Sequence, residues 1–261
     1  MTVWEGREEP TWNHERMRIF AISDLHLSFT SNKPMDKFGE HWYLHHEKIE
    51  QSWRRDVGPD DVVLIPGDHS WALKLDEALP DLSWIGALPG TKVMGKGNHD
   101  LWWHSLARLE ALGLPDTRWL QNNAMIFGNT GIVGTRGWSF PRGGDSEEDA
   151  QDEKIYRREL ERLKLSFQAL AKLRKGGASL DAVICMLHYP PLLADRRDTE
   201  FTRLLESEGA THCVYGHMHL SHRHRVFRGD QNGVRYEVVS CDFNDFAPLL
   251  VAEAAAVPIS S

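Results

Sequence analysis

Short apolar runs recur along the chain, and each gives way to a polar loop: Met17–Ser23, Val62–Pro66, Thr91–Lys96, Ala182–Leu187 and Cys213–Tyr215. Continuous apolar runs of this kind predict strands buried on both faces. Segments with helical spacing lie between them. One runs from about Glu40 to Val57 and stops at Gly58-Pro59, and a second covers residues 72–88 despite Pro80 and closes at Pro89-Gly90. A third runs from Leu101 to Leu112 and ends at Gly113. The longest runs from roughly Asp152 to Lys175, with Ile155, Leu163, Phe167, Leu170 and Leu173 on one stripe and Gly176-Gly177 as its cap. Ala124–Gly128 and Gly131–Arg136 read as a strand pair around an Asn129 turn. Val226–Phe227 and Val234–Ser240 flank a hairpin signal at residues 230–233, and Leu249–Ala252 reads as a last strand. Strands alternating with helices predict an α/β fold. No repeat or linker divides the chain, so one domain is expected over residues 1–261, with a core at about 17–252 and polar tails at both ends.

The 261 residues are 41% hydrophobic and 26% charged, an ordinary balance for a folded chain with a sizeable core. The formal charge of −8, with no long Lys/Arg run, argues against a nucleic-acid binder. A phosphorylated small substrate stays open, because bound metal ions can supply positive charge locally. Residues 1–18 lack the apolar core of a signal peptide, and no apolar run is long enough to span a bilayer. Cys185, Cys213 and Cys241 each sit in an apolar stretch, so they read as buried thiols of a reducing compartment, and a cytoplasmic location is expected. Histidine is abundant, at fourteen against five tyrosines, and all ten tryptophans fall between Trp4 and Trp138.

The five strands end in loops loaded with Asp, Asn and His: Asp24-Leu25-His26, Gly67-Asp68, Gly97-Asn98-His99-Asp100, His188, and Gly216-His217-Met218-His219. In open α/β sheets, binding groups collect at the carboxyl ends of strands. In extended chain, the i, i+2 spacing of Asp24/His26 and of His217/His219 points paired side chains the same way. The glycines before Asp68 and Asn98 let the backbone turn sharply. Oxygen and imidazole donors of this kind suit a pair of divalent ions such as Mn, Fe, Zn or Ni. No Cys pair stands at zinc-finger spacing.

In this order the five motifs resemble those of the calcineurin-like metallophosphoesterase superfamily, within it the compact bacterial phosphohydrolases. The matching positions extend from residue 24 to residue 219. The resemblance implies a four-layer fold, a sandwich of two mixed β-sheets flanked by helices. It implies two divalent metal ions, one held by Asp24, His26 and His219, the other by Asn98, His188 and His217, with Asp68 bridging them. It also implies catalytic roles for His99, facing the leaving oxygen, and Asp100, orienting the His99 ring. The reaction implied is hydrolysis of a small phosphorylated substrate, phosphodiesters above others, by a metal-bridging hydroxide. A phosphomonoesterase, a nucleotide pyrophosphatase or a non-catalytic scaffold of the same fold are the alternatives. Gly67-Asp68-His69-Ser70-Trp71 departs from the Gly-Asp-x-Val-Asp-Arg-Gly of the family's protein phosphatases and has no arginine.

Other residues take plainer readings. His69, next to Asp68, reads as a packing residue or a remote hydrogen-bond partner of the site. His41, His45 and His46 read as solvated. Trp42, Trp71, Trp102, Trp103 and Trp138 follow strand ends; most are expected to fill helix–sheet packing and one or two to rim the cleft. Arg136 before Gly137 is a candidate substrate-binding clamp for phosphate, with a surface salt bridge as the alternative.

Overall fold

The computed structural model describes residues 16–144, 146–174 and 179–255. The tails and the predicted Gly176-Gly177 cap lie outside the described residues. Eleven strands form two sheets among those described. The first sheet has the order β11-β1-β2-β3-β4: β1 (Arg16–Ala21), β2 (Val62–Ile65), β3 (Thr91–Gly95) and β4 (Thr117–Leu120) run parallel, and β11 (Leu249–Ala255) lies antiparallel to β1. The second has the order β5-β6-β7-β8-β10-β9. Here β6 (Thr130–Thr135), β7 (Ala182–Leu187), β8 (His212–Tyr215) and β10 (Val234–Val238) are parallel, flanked by antiparallel β5 (Ala124–Phe127) and β9 (Gly229–Gln231).

Strand periodicity sorts the apolar side chains into three layers of core. Ile19, Ala21, Val62 and Leu64 face Ile184, Met186 and Val214 between the sheets. Alternate residues Phe20, Ile22, Val63 and Ile65 face outward, onto α1 (His45–Asp56) and α2 (Leu75–Gly86) through Ile49, Trp53, Ala78 and Leu82. On the opposite side Val183, Cys185, Leu187 and Cys213 receive α4 (Glu147–Arg174) and α5 (Glu200–Ser207) through Leu160, Leu163, Phe167 and Phe201. Helix, sheet, sheet, helix is the predicted four-layer sandwich. The three cysteines are buried and free. No helix among the described residues is long and apolar enough to cross a membrane.

Several boundaries differ from the periodicity. Residues 40–44 form 3₁₀ turns, and Leu44 at φ 51° delays the α-helix to His45. Only Leu106–Glu110 (α3) of the predicted 101–112 segment is α-helical. α4 starts at Glu147, where three acidic residues favour a helix N-terminus. β4 and α5 are additional elements; Thr199 caps α5 by accepting from the Thr202 N–H at 3.1 Å. The hairpin turns at Asn232-Gly233, both at positive φ, but its first strand is Gly229–Gln231 and not Val226–Phe227.

Candidate metal centre

The carboxyl ends of β1, β2, β3, β7 and β8 converge, and the loops leaving them interlock. The Asp24 N–H donates to the Gly67 carbonyl at 3.0 Å, and the His26 N–H to the Asp68 carbonyl at 3.0 Å. Close approach demands glycine here. A Cβ on Gly97 would collide with the Asp68 carboxylate, and one on Gly216 would lie 2.5 Å from Asp24 Oδ2.

Asp24 is fully buried. Its Oδ2 accepts from the Ser23 hydroxyl, from the Ser240 hydroxyl at 2.9 Å and from the His217 N–H at 3.0 Å. That leaves Oδ1 3.9 Å from His26 Nε2 and 3.8 Å from His219 Nε2, which are themselves 3.4 Å apart. Asp68 Oδ1 accepts the His99 N–H at 2.8 Å, while its Oδ2 stands 3.8 Å from His26 Nε2 and 3.5 Å from His188 Nε2. Asn98 Oδ1 lies 2.6 Å from His188 Nε2 and 2.9 Å from His217 Nδ1. The seven candidate ligands therefore meet as two sets, with one carboxylate oxygen of Asp68 between them. Asp24, His26 and His219, and again Asp24, Asp68 and His188, place donor atoms within 4.8 Å of one another.

Four of the seven, Asp24 (φ 57°), His26 (φ 46°), Asp68 (φ 54°) and His217 (φ 67°), adopt the left-handed backbone conformation. For a non-glycine residue this costs roughly 1–2 kcal/mol each, and such strain concentrates at functional sites, where surrounding bonds hold it.

Electrostatics fit the same reading. Burial, ahead of the Asp24 and Asp100 charges, holds the Asp68 carboxyl well above the usual carboxylate range, and burial raises Asp24 against the pull of His219. Burial also pushes His26 and His188 well below the ordinary histidine value and His217 to about 4. These imidazoles are held neutral, which is the metal-binding form. Burial lowers His219 too, but the hydrogen bond and charge of Asp242, with the charge of Asp24, outweigh it. His219 Nδ1 lies 3.2 Å from Asp242 Oδ1, the ring-orienting contact a metal-binding histidine requires. With Nδ1–H donating to that carboxylate, Nε2 presents its lone pair to the cluster. Buried oxygens and neutral nitrogens crowded this closely fit divalent cations.

Asp100 was expected to orient the His99 ring, and the structure places its carboxylate elsewhere. It accepts from His69 Nδ1 at 3.0 Å and from the N–H groups of Gly97 (2.7 Å), Asp68 (2.9 Å) and His69 (2.9 Å). His99 packs instead on Trp71, ring centroids 4.2 Å apart. Burial lowers the His99 pKa and outweighs the raising effect of the Asp100 charge. Arg136 points its guanidinium at the buried Glu159 (3.8 Å) and over Trp138 (4.4 Å), while its carbonyl accepts the His188 and Tyr189 N–H groups. His69 is fully buried beside Trp102 and Trp103, as the packing reading expects. His45, expected in solvent, is buried and contacts the Leu25 carbonyl at 2.9 Å. Trp71 stacks on His26 at 4.7 Å, and Trp42 meets His219 edge-on at 5.7 Å, so these two border the site. Sequence reasoning missed Ser240 and Asp242, which follow β10 without a motif.

A model of the calcineurin-like phosphoesterase family matches residues 17–221, and the chain belongs to that family. No curated protein matches it. Among solved structures it is similar to a protein of unknown function, AQ665, from Aquifex aeolicus. Identity is 13%, over 89% of this chain and 95% of that one, with a TM-score of 0.47. It is also similar to phosphopantetheinyl hydrolase (PptH) from Mycobacterium tuberculosis at 19% identity, over 95% of this chain and 98% of that one, with a TM-score of 0.48.

Proposed function

We propose that the chain is a dinuclear-metal phosphodiesterase in which Asp24, His26 and His219 hold one divalent ion, Asn98, His188 and His217 the other, and Asp68 both. The observation that carries this reading is the meeting of both donor sets on Asp68, whose Oδ2 lies 3.8 Å from His26 Nε2 and 3.5 Å from His188 Nε2. Such an ion pair supplies positive charge toward a phosphate ester and an activated water near neutral pH. The chain's own residues do the rest. The Ser23, Ser240 and Asp242 contacts fix the orientation of Asp24 and His219. Trp71 and Trp42 pack on His26 and His219 and form an apolar wall on that side of the cluster. His99, on the Trp71 side, stands over the cleft where a leaving oxygen would receive a proton.

The placement of Arg136 supports a diester preference: its guanidinium lies toward Glu159 and over Trp138, so it is engaged there and not as a clamp for the second charge of a monoester. Manganese-loaded protein should turn over bis-p-nitrophenyl phosphate with a higher kcat/KM than p-nitrophenyl phosphate. A clear monoester preference, removed by Arg136→Ala, would reverse the assignment.

A further inference from the structure

Two cavities flank the cluster, and they differ in charge: three arginines line one and none lines the other. One, of about 680 Å³, meets the cluster at His26, His99 and His219; its other walls are mainly apolar, with Met35, Phe38, Trp42, Trp71 and Leu220, and are polar at His41, Ser221 and His222. Its Asp242 is already engaged, accepting the Leu220 N–H at 3.0 Å beside His219. Phe38 is 68% exposed and Leu220 38%, so apolar surface faces water at the mouth. The other cavity, of about 750 Å³, is lined by His217, Tyr189 and Trp138 together with Arg142, Arg196, Arg225 and a single carboxylate, Asp195. Tyr189 lies on the His217 ring at 4.2 Å, and Arg196 lies over Phe140 at 4.5 Å, which fixes its guanidinium. All three arginines are exposed, and among the described residues none of their guanidinium groups makes a salt bridge. His217 and His219 stand two residues apart in the loop after β8, so one short loop separates the two cavities.

We infer that the substrate is a phosphodiester with two unlike arms, a bulky apolar group in the Trp42–Trp71 cavity and an anionic group in the Arg142–Arg196–Arg225 cavity. The inference rests on the phosphodiesterase reading and extends it to the substrate. Apolar walls gain from burying methylene and ring surface, and unpaired guanidinium groups gain most from phosphate or carboxylate. Neither cavity alone suits both arms. In the reaction a water oxygen forms the new P–O bond, and the bond to one arm's ester oxygen breaks with its electron pair. That oxygen takes one water proton and leaves as an alcohol. The other arm keeps the phosphate as a monoester, and the second proton goes to solvent.

The test compares three diesters with the metal-loaded full chain, followed by ³¹P NMR: butyl 3-phosphopropyl phosphate, dibutyl phosphate and bis(3-phosphopropyl) phosphate. Bis-p-nitrophenyl phosphate serves as the control for the parent reading. The mixed diester should exceed both symmetric ones in kcat/KM by at least about tenfold, since each buried methylene is worth about fourfold. Phe38→Ala, at an exposed position that should not disturb folding, should cut the advantage of the mixed diester over the bis-anionic one at least threefold. Joint replacement of Arg142→Ala and Arg196→Ala should cut its advantage over dibutyl phosphate at least tenfold. Equal rates for the three diesters, or uniform losses in the variants, would overturn the inference while turnover of the control left the phosphodiesterase reading standing. No turnover of any diester, the control included, would bring down both.

Discussion

The Asp100 carboxylate and the His69 ring face each other at 3.0 Å, both fully buried, beneath the candidate metal centre. Around this pair the carboxylate also collects the N–H groups of Gly97, Asp68 and His69, so one acidic side chain ties the β2 loop to the β3 loop. Burial would raise the Asp100 pKa, yet His69 and these N–H groups overcome it, and the carboxyl sits below the ordinary aspartate value. The anion is therefore part of the scaffold that positions Asp68 and Asn98.

Replacing that anion should be costly. In Asp100→Asn an amide NH₂ must face backbone donors, and leaving buried donors unmet costs about 1–3 kcal/mol each. Metal affinity should fall about 10–100-fold, the usual effect of disturbing groups that hold the ligands. His69→Ile removes one hydrogen bond but keeps the three backbone contacts. Metal content should persist and kcat/KM should fall less than about tenfold, under ~1.4 kcal/mol. Titration calorimetry with Mn²⁺ and steady-state kinetics check both, and equal losses in the two variants would refute this division of labour.

Asp68→Asn should impair both metal positions together, because its Oδ2 faces His26 and His188 at once. Elemental analysis should find about two ions per wild-type chain and markedly fewer in the variant. A fully active protein carrying one ion would rule out the dinuclear reading.

His99→Asn should slow dialkyl phosphodiesters far more than activated aryl diesters, with both metals retained. General acid catalysis contributes about 10²–10⁴-fold, and an alkoxide needs the proton where a nitrophenolate does not. Equal losses for the two leaving groups would assign His99 to binding instead.

Burial lowers the His45 pKa to about 4. The unfolded chain titrates near the ordinary 6.5, so below that pH it binds the proton that the folded state refuses. The stability is thus complete above about pH 6.5 and is lost as pH falls toward 4. At pH 5 this single group removes about 2 kcal/mol. Urea unfolding of metal-free protein at pH 7.5 and pH 5 should show a smaller pH loss in His45→Gln than in wild type. Identical losses would place the acid sensitivity elsewhere.

The fold class and the convergence of the seven candidate ligands were legible because both rest on local chain geometry. Buried strands announce themselves as apolar runs, and six of the seven candidate ligands stand beside a glycine or an i, i+2 partner, His188 being the exception. Asp242 lacked any such mark. It reaches His219 only because the loop after β10 folds back beside the 3₁₀ segment that follows His219. Asp100 misled for a related reason. Adjacency to His99 suggests a ring partner, but successive side chains diverge and the carboxylate turns inward to donors in the loop after β2 and on Gly97. His45 was read as solvated from its charged neighbours, although the helix that carries it buries one face.

The pairing of β1 with β11, from Arg16↔Ala255 to Ala21↔Leu249, sets a schedule for making the protein. The strand that leads into Asp24 leaves the ribosome well before its antiparallel neighbour, and the other strands of both sheets are made between them. At about 5–20 residues per second, an exposed edge of Ile19, Phe20 and Ala21 waits on the order of ten seconds or more for its cover. Through that interval Ser240 has not yet reached Asp24 and Asp242 has not reached His219. On the two-metal reading, an ion arriving in that interval would meet an unfinished cradle, and the uncovered edge of β1 is open to aggregation or chaperone capture.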